Sequence, residues 1–329
     1  MLSIKQKVLA ATAALVLTTG ALMPTNGQAY GVLGNVLGSV INGAAAMSQI
    51  NAQIKELETN GRYDYFQQMK EKYGVNYEER ANAQLDRVMS NLTRVIARYD
   101  NTVYTYPYNY FVNNDQSFNA FCTLGHNVSV NIGLFRTLNY NENQIAFVIG
   151  HELAHGTNHD PANGVKKQVG VSVLASVVAS SVGGGVLTNL GSNVLANLGT
   201  AKGITLPMEK KADADAFTYC SEAGYNVGAG ASVWQRIIDM TANKNNSFNV
   251  NQLFNPSDHP KHINRRDTYS QTLTKYSNNV VTVDKETGTI SVNKVKVGVP
   301  AAAFGQSAKE RAYMVAGDIA EVYHQNGKA

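Results

Sequence analysis

The feature that most constrains the fold of this chain is a His-Glu-x-x-His motif at residues 151–155. On a helix, residues four apart lie on one face, so His151 and His155 can bind one metal ion. Glu152 then lies beside the open position of that ion. The motif therefore predicts a helix at this point and a metal-assisted hydrolase site on it.

Apolar spacing predicts an α+β fold that is mainly helical, with a small sheet before the motif helix. Asn141 is the expected N-cap of that helix, and Asp160 followed by Pro161 is expected to end it. We expect further helices over 77–99, 209–223, 232–240 and 308–323, and strands over 104–112, 127–132, 280–283 and 289–299. The last two strands and the last helix predict a C-terminal ββα appendage.

The N-terminus has the pattern of a secretory signal peptide. Lys5 and Lys7 precede an apolar run at 8–23, and small residues follow at 27–29. We expect cleavage after residue 29 and an exported protein, in the periplasm or, alternatively, secreted. An uncleaved signal anchor is the other interpretation, and the lack of a cysteine near this point argues against a lipoprotein.

The formal net charge of +4 falls to +2 when the first 29 residues, with two lysines and no acid, are removed. Such a charge indicates no nucleic-acid partner. The remaining 300 residues suffice for a domain over 30–275 that carries the motif and for the appended hairpin-plus-helix module over 276–329.

Cys122 and Cys220 are the two cysteines of the chain. An exported protein meets an oxidising compartment, where such a pair commonly forms a bridge. We therefore hypothesise one disulfide, with two buried free thiols as the alternative.

The segment 168–200 contains no charged residue. Glycines and asparagines interrupt its apolar runs, which disfavours a transmembrane hairpin. We favour a helical hairpin packed on the domain, and its role as a lid, a client contact or a peripheral membrane contact stays open.

A catalytic zinc needs a third protein ligand. Pro161 stands where one common pattern places a third histidine, and His159 is only one turn beyond His155. Glu209 is the better candidate because a carboxylate on a second helix completes a His-His-Glu site. Asp213, one turn later, is expected to orient a ligand imidazole.

These motifs resemble those of the gluzincin zinc metallopeptidases related to HtpX, the CAAX prenyl proteases and the periplasmic BepA and LoiP proteins. The resemblance runs from Tyr77 to Arg266. Besides the His-Glu-x-x-His motif and Glu209-x-x-x-Asp213, it rests on Asn119-Ala120-Phe121, Ala223-Gly224-Tyr225, and Ser257-Asp258-His259-Pro260 followed by Arg265.

The resemblance implies a zincin-like core that binds one Zn²⁺ through His151, His155 and Glu209. It implies that Glu152 activates the zinc-bound water as general base. His259 would lie near the metal, and Arg265 near the substrate or the catalytic carboxylates.

We expect the strand at 127–132 to be an exposed sheet edge that holds an extended peptide by main-chain hydrogen bonds. The expected substrate-binding residues are Asn127, Val128, Ser129 and Val130. The family usually has Pro-Gly-Gly before its edge strand, whereas this chain has Leu-Gly-His at 124–126.

Two functions are compatible with these features. The first is a zinc endopeptidase that hydrolyses unfolded, misassembled or membrane-associated exported proteins. The alternative is a chaperone or assembly factor of the cell envelope whose metal site is latent.

Overall fold

The computed structural model describes residues 43–167, 204–242 and 262–326. The predicted signal peptide, the charge-free segment 168–200 and His259 lie outside these residues. Within the described ranges, no helix combines the length and the apolar character needed to cross a bilayer.

The described fold is α+β and mainly helical, which confirms the predicted class. The helices are α1 (Gly43–Glu58), α2 (Arg62–Tyr73), α3 (Glu79–Ile96), α4 (Ile132–Thr137), α5 (Glu142–Thr157), α6 (Leu206–Glu222), α7 (Ala229–Ala242), α8 (His262–Tyr276) and α9 (Ala308–Asn326). The strands are β1 (Asn109–Asn113), β2 (Ala120–Thr123), β3 (Asn127–Asn131), β4 (Val281–Val283), β5 (Ile290–Val292) and β6 (Val295–Gly298). Residues 160–167 are also helical, and short 3₁₀ turns occupy Asn101–Tyr104 and Leu124–His126.

Helix α3 forms because its apolar residues recur at helical spacing, and it buries that stripe as predicted. Leu85, Val88 and Leu92 are at most 1 % exposed. The stripe packs in the same core as Ile145 and Ile149 of α5. Helix α3 therefore stabilises the motif helix α5 through this shared hydrophobic core.

The first sheet has the order β1-β3-β2, with β3 parallel to β1 and antiparallel to β2. The prediction that residues 127–132 form an exposed edge is therefore wrong, because β3 is paired on both sides. The strand predicted over 104–112 is also shorter than expected. Asp100 caps a 3₁₀ turn by accepting a hydrogen bond from the Thr102 N–H, and the strand starts only at Asn109.

Valine alternates with polar residues in β3, but the polar face of the strand is not exposed to solvent. Ser129 and Asn131 are buried, and both accept hydrogen bonds from the Asn113 side chain, at 2.8 and 2.7 Å. Helix α2 contacts β1 and β3. Because the side-chain amides bond within the sheet, this polar face can be buried without unpaired groups.

The C-terminal residues form a second sheet with the order β4-β5-β6, followed by α9. The predicted strand 289–299 is itself a hairpin, because Asn293 and Lys294 adopt φ of 50° and 67°, as a two-residue type I′ turn requires. Tyr313 of α9 and Ile290 of β5 belong to the same hydrophobic core as α3 and α5. The domain boundary at 275/276 stays a prediction, but the two parts share one core.

Candidate metal centre

Helix α5 presents the motif side chains to the interior of the protein. Its N-cap is Asn141, as predicted, whose side chain accepts a hydrogen bond from the Gln144 N–H at 3.1 Å. His151, Glu152 and His155 are each at most 5 % exposed. The helix therefore carries the two imidazoles and the carboxylate side by side in a buried position.

Helix α6 supplies the third group. Glu209 lies in its first turn and is fully buried. Its Oε2 lies 3.4 Å from His151 Nε2 and its Oε1 lies 3.3 Å from His155 Nε2. The two Nε2 atoms are 3.1 Å apart. The structure therefore brings the three predicted ligands together.

These separations fit a zinc ion. Ligand atoms held about 2.0–2.1 Å from a tetrahedral zinc lie about 3.3 Å from one another. The separations of 3.1–3.4 Å lie close to that value, with each imidazole facing a different oxygen of Glu209. Two imidazoles and a carboxylate are also the donor set of catalytic zinc sites, which keep their fourth position open.

Asp213, one turn after Glu209 on α6, contacts the first histidine. Its Oδ1 lies 3.0 Å from His151 Nδ1 and accepts a hydrogen bond from the Tyr269 hydroxyl at 2.9 Å. Burial raises the pKa of Asp213, but the charge of Arg265 and the contact with His151 outweigh burial and lower it to about 2. An ionised Asp213 holds the proton of His151 on Nδ1 and leaves Nε2 free for a metal.

Arg265 of α8 lies against Asp213 and the His151 ring. Its Nε donates to Asp213 Oδ2 at 2.9 Å, its Nη2 contacts both Asp213 Oδ1 and His151, and its guanidinium stacks over Trp234 at 3.9 Å from the ring centroid. The pair is buried and bidentate, which is the strong form of an arginine–carboxylate contact. Arg265 therefore orients the carboxylate that orients His151.

Asp160 performs the corresponding task for His155, a role that the sequence motifs did not predict. The chain leaves α5 at Thr157, and His159 takes a φ of 53°, which turns the following residue back towards the helix. Asp160 Oδ2 lies 2.8 Å from His155 Nδ1, and the carboxylate is buried. The sequence does place an acidic residue, Asp160, shortly after His155. Because Pro161 follows it, Asp160 was interpreted only as part of the end of the helix.

The electrostatics of His155 reflect these neighbours. Burial lowers its pKa, but hydrogen bonding to Asp160 and Glu209 outweighs burial and raises the pKa to about 10. Two carboxylates therefore stabilise positive charge at this ring, which is also what a divalent cation on Nε2 would experience.

Glu152 has a different environment from the other carboxylates of the site. Its Oε2 accepts a hydrogen bond from the Cys122 backbone N–H of β2 at 3.3 Å. Its Oε1 is buried without a hydrogen-bond partner among the described residues. Burial raises the pKa of this carboxyl. Such a group is suited to accept and return a proton.

Strand β2, and not β3, is the sheet edge nearest the motif helix. Asn119 O accepts from the Asn131 N–H, so the backbone groups of Ala120 and Cys122 point away from β3. The predicted substrate-binding residues are all in β3 and buried: Asn127, Val128, Ser129 and Val130. That prediction is wrong, because alternation does not reveal the position of a strand in its sheet.

The disulfide prediction is also wrong, since both cysteines are free and buried. A Cβ at Gly150 would lie 3.0 Å from the Cys220 sulfur, and one at Gly156 would lie 3.1 Å from the Cys122 sulfur. These glycines are six residues apart on α5, about 9 Å along its axis. A disulfide needs its sulfurs about 2.05 Å apart.

The Leu-Gly-His departure at 124–126 has a local reason. Gly125 has a φ of 73°, and a Cβ there would lie 2.5 Å from the Leu57 carbonyl oxygen. His126 stacks on Tyr108 with ring centroids 4.6 Å apart. The turn therefore packs against α1 and the core. His259 lies outside the described residues, and its place near the metal stays a prediction.

A motif helix whose two histidines meet a glutamate from a second helix, beside an edge strand, defines a metallopeptidase of the His-His-Glu type. The family model described as "Peptidase family M48" matches residues 79–272. The chain belongs to this family, which confirms the predicted relationship and the enzyme class. A search of curated proteins finds no match.

Proposed function

We propose that this chain is a zinc-dependent endopeptidase that hydrolyses unfolded or misassembled exported proteins. The single observation that carries the proposal is the spacing of 3.1–3.4 Å among the donor atoms of His151, His155 and Glu209. Glu152 follows the first ligand directly in α5. This arrangement fits peptide hydrolysis better than a structural metal site, which would be closed by a fourth protein ligand.

Zinc, when bound by these three residues, supplies a Lewis acid that polarises a carbonyl and acidifies water. Glu152 accepts the proton of the attacking water and passes it to the leaving amine. Its raised pKa suits both transfers. Asp213 and Asp160 hold the two imidazoles in the tautomer that leaves each Nε2 unprotonated.

The outer edge of β2 is the proposed place of the substrate. The backbone groups of Ala120 and the Cys122 carbonyl face away from β3, and an extended peptide can pair with them. Main-chain hydrogen bonds depend little on the side chains of the substrate. We therefore expect broad specificity for unfolded segments. This contact lies next to Glu152, which already touches the Cys122 N–H.

The location of the enzyme is part of the same proposal. The basic and apolar N-terminal segment supports export to the periplasm, with secretion as the alternative. Unfolded or membrane-associated proteins are the proposed partners. The uncharged segment 168–200 supports a peripheral contact with clients or membrane.

The test is cleavage of casein by the mature chain, with Glu152→Gln as the inactive comparison and zinc content measured for both. We expect wild-type cleavage that a chelator abolishes and zinc restores, and a variant that binds one zinc per chain without cleaving. Equal, chelator-resistant activity of both proteins would refute the mechanism. A zinc-loaded wild type that suppresses aggregation but never cleaves would favour the chaperone alternative.

A further inference from the structure

The second sheet ends in an apolar strand that is open to solvent. Strand β6 pairs with β5, and its other edge is paired with no strand in the described part of the chain. Val295, Val297 and Val299 are 68, 63 and 48 % exposed. Strand β6 has four residues, Val299 follows it directly, and its pairing with β5 shifts register between Ile290 and Ser291. An exposed apolar edge is a template for an added strand unless the protein protects it.

The register defines what this edge presents. Val295 lies opposite Val292, which lies opposite the buried Val281, so Val295 extends the apolar face of the sheet. Lys296 lies opposite Ser291 on the other face. The residues next to the two-residue turn pair with each other, so the backbone N–H and C=O of Lys296 point outward from β5. The outer edge of β6 therefore offers the backbone N–H and C=O of Lys296 to an added strand. The apolar side chain of Val295 lies on one face of the sheet there, and the basic side chain of Lys296 lies on the other.

The charge around β6 selects among possible occupants. Residues 287–309 contain three lysines, Lys294, Lys296 and Lys309, and no acidic residue, while Asp284, just before this stretch, is close enough to Lys296 to interact with its charge. Edge pairing with a second copy would bring the lysines of the two β6 strands close together, which is how natural sheets avoid self-association. A strand with carboxylates opposite these lysines would gain from the same charges.

We propose that the outer edge of β6 binds an extended segment of a partner protein in which apolar and acidic residues alternate. The segment adds a fourth strand to the second sheet through main-chain hydrogen bonds. Its apolar side chains cover Val295, and its carboxylates face Lys296 on the other side of the sheet. This surface is separate from the metal centre and independent of whether the enzyme cleaves the partner.

The experiment measures binding of a fluorescent octapeptide of alternating Val and Glu to the full chain by fluorescence anisotropy. The Glu152→Gln background prevents cleavage of the probe. Two further probes are an alternating Val and Lys octapeptide and the acidic octapeptide N-methylated at every second residue. Lys296→Glu is the test variant, and Lys275→Glu, an exposed lysine in the last turn of α8, is the matched control.

We expect the acidic peptide to bind, and Lys296→Glu to weaken it by about fivefold or more while Lys275→Glu changes it less than about twofold. The N-methylated and basic peptides are expected to lose most of the binding. No binding of the acidic peptide, equal binding of its N-methylated form, or equal effects of the two substitutions would overturn the proposal. A dimer in sedimentation whose formation blocks binding of the acidic peptide would assign the edge to a second copy instead.

Discussion

Replacement of Asp160 tests whether the support of His155 is part of the metal centre. Asp160→Ala removes a buried carboxylate that lies 2.8 Å from His155 Nδ1 and leaves the imidazole without this hydrogen-bond partner. The ligand atom of His155, its Nε2, is not altered. Any change in metal affinity therefore reports on orientation and basicity of the ring.

The expected loss is about 10- to 100-fold in zinc affinity, which is typical when a partner of a ligating histidine is removed. This corresponds to about 1.4–2.7 kcal/mol. Asp160→Asn keeps a neutral oxygen that can accept the Nδ1 proton but removes the charge, so its loss is expected to be smaller. The order of zinc affinities should be wild type, Asn variant, Ala variant.

The assay is competition for zinc against a chromophoric chelator, with circular dichroism to show that each apo protein is folded. Asp215→Ala is the matched control, because Asp215 pairs with Lys211 and Asn158 at 2.7 and 2.8 Å on the outside of α6. The control should change zinc affinity less than about twofold, since exposed pairs contribute about 0–1 kcal/mol. A folded Asp160→Ala protein with wild-type zinc affinity would refute the reasoning.

Three further predictions follow from the buried groups. Without reductant, the denatured chain should show two reactive thiols, whereas Cys122 and Cys220 in the native protein should react slowly because burial raises the pKa of each; no reactive thiol on denaturation would restore the disulfide. Glu310→Ala should lower the free energy of unfolding by about 3–5 kcal/mol, because it leaves the buried Arg236 guanidinium without its carboxylate at 2.5 Å. The surface variant Glu142→Ala should cost less than about 1 kcal/mol in the same urea titration, and equal costs would contradict the buried pairing. Removal of zinc by a chelator should lower Tm, since an ion present at 100 times its Kd stabilises the folded state by about 2.7 kcal/mol; an unchanged Tm would argue against a bound ion.

The metal ligands could be predicted from the sequence because their geometry is largely local. His151 and His155 are four residues apart on one helix, so the helix alone places both rings on one side. Glu209 required more: the condition that a catalytic zinc takes a third ligand, a second predicted helix with Asp213 one turn later, and the family resemblance. The same local reasoning identified Asn141 as N-cap and the buried stripe of α3.

The wrong predictions of an edge strand and of a disulfide, and the overlooked role of Asp160, have another cause. Each depends on contacts between parts of the chain that do not belong to one helix or strand. Strand β3 has the alternation of a half-buried edge, but β1 pairs with its other side and α2 covers its polar face. The two cysteines contact α5 at separate places along its axis. Asp160 reaches His155 only because His159 adopts a left-handed conformation. None of these facts can be derived from spacing within one element.

The division of roles among the carboxylates also follows from their contacts and not from their burial. Glu152 and Asp213 are both nearly inaccessible to solvent. The partner of Glu152 Oε2 is a neutral backbone N–H, so burial raises its pKa. Burial acts on Asp213 in the same direction, but the charge of Arg265 and the contact with His151 together outweigh it and lower that pKa. Environments that separate two pKa values in this way assign proton transfer to one carboxyl and permanent charge to the other. We therefore expect Glu152 to exchange a proton during peptide hydrolysis, and Asp213 to keep its charge and hold His151 in place.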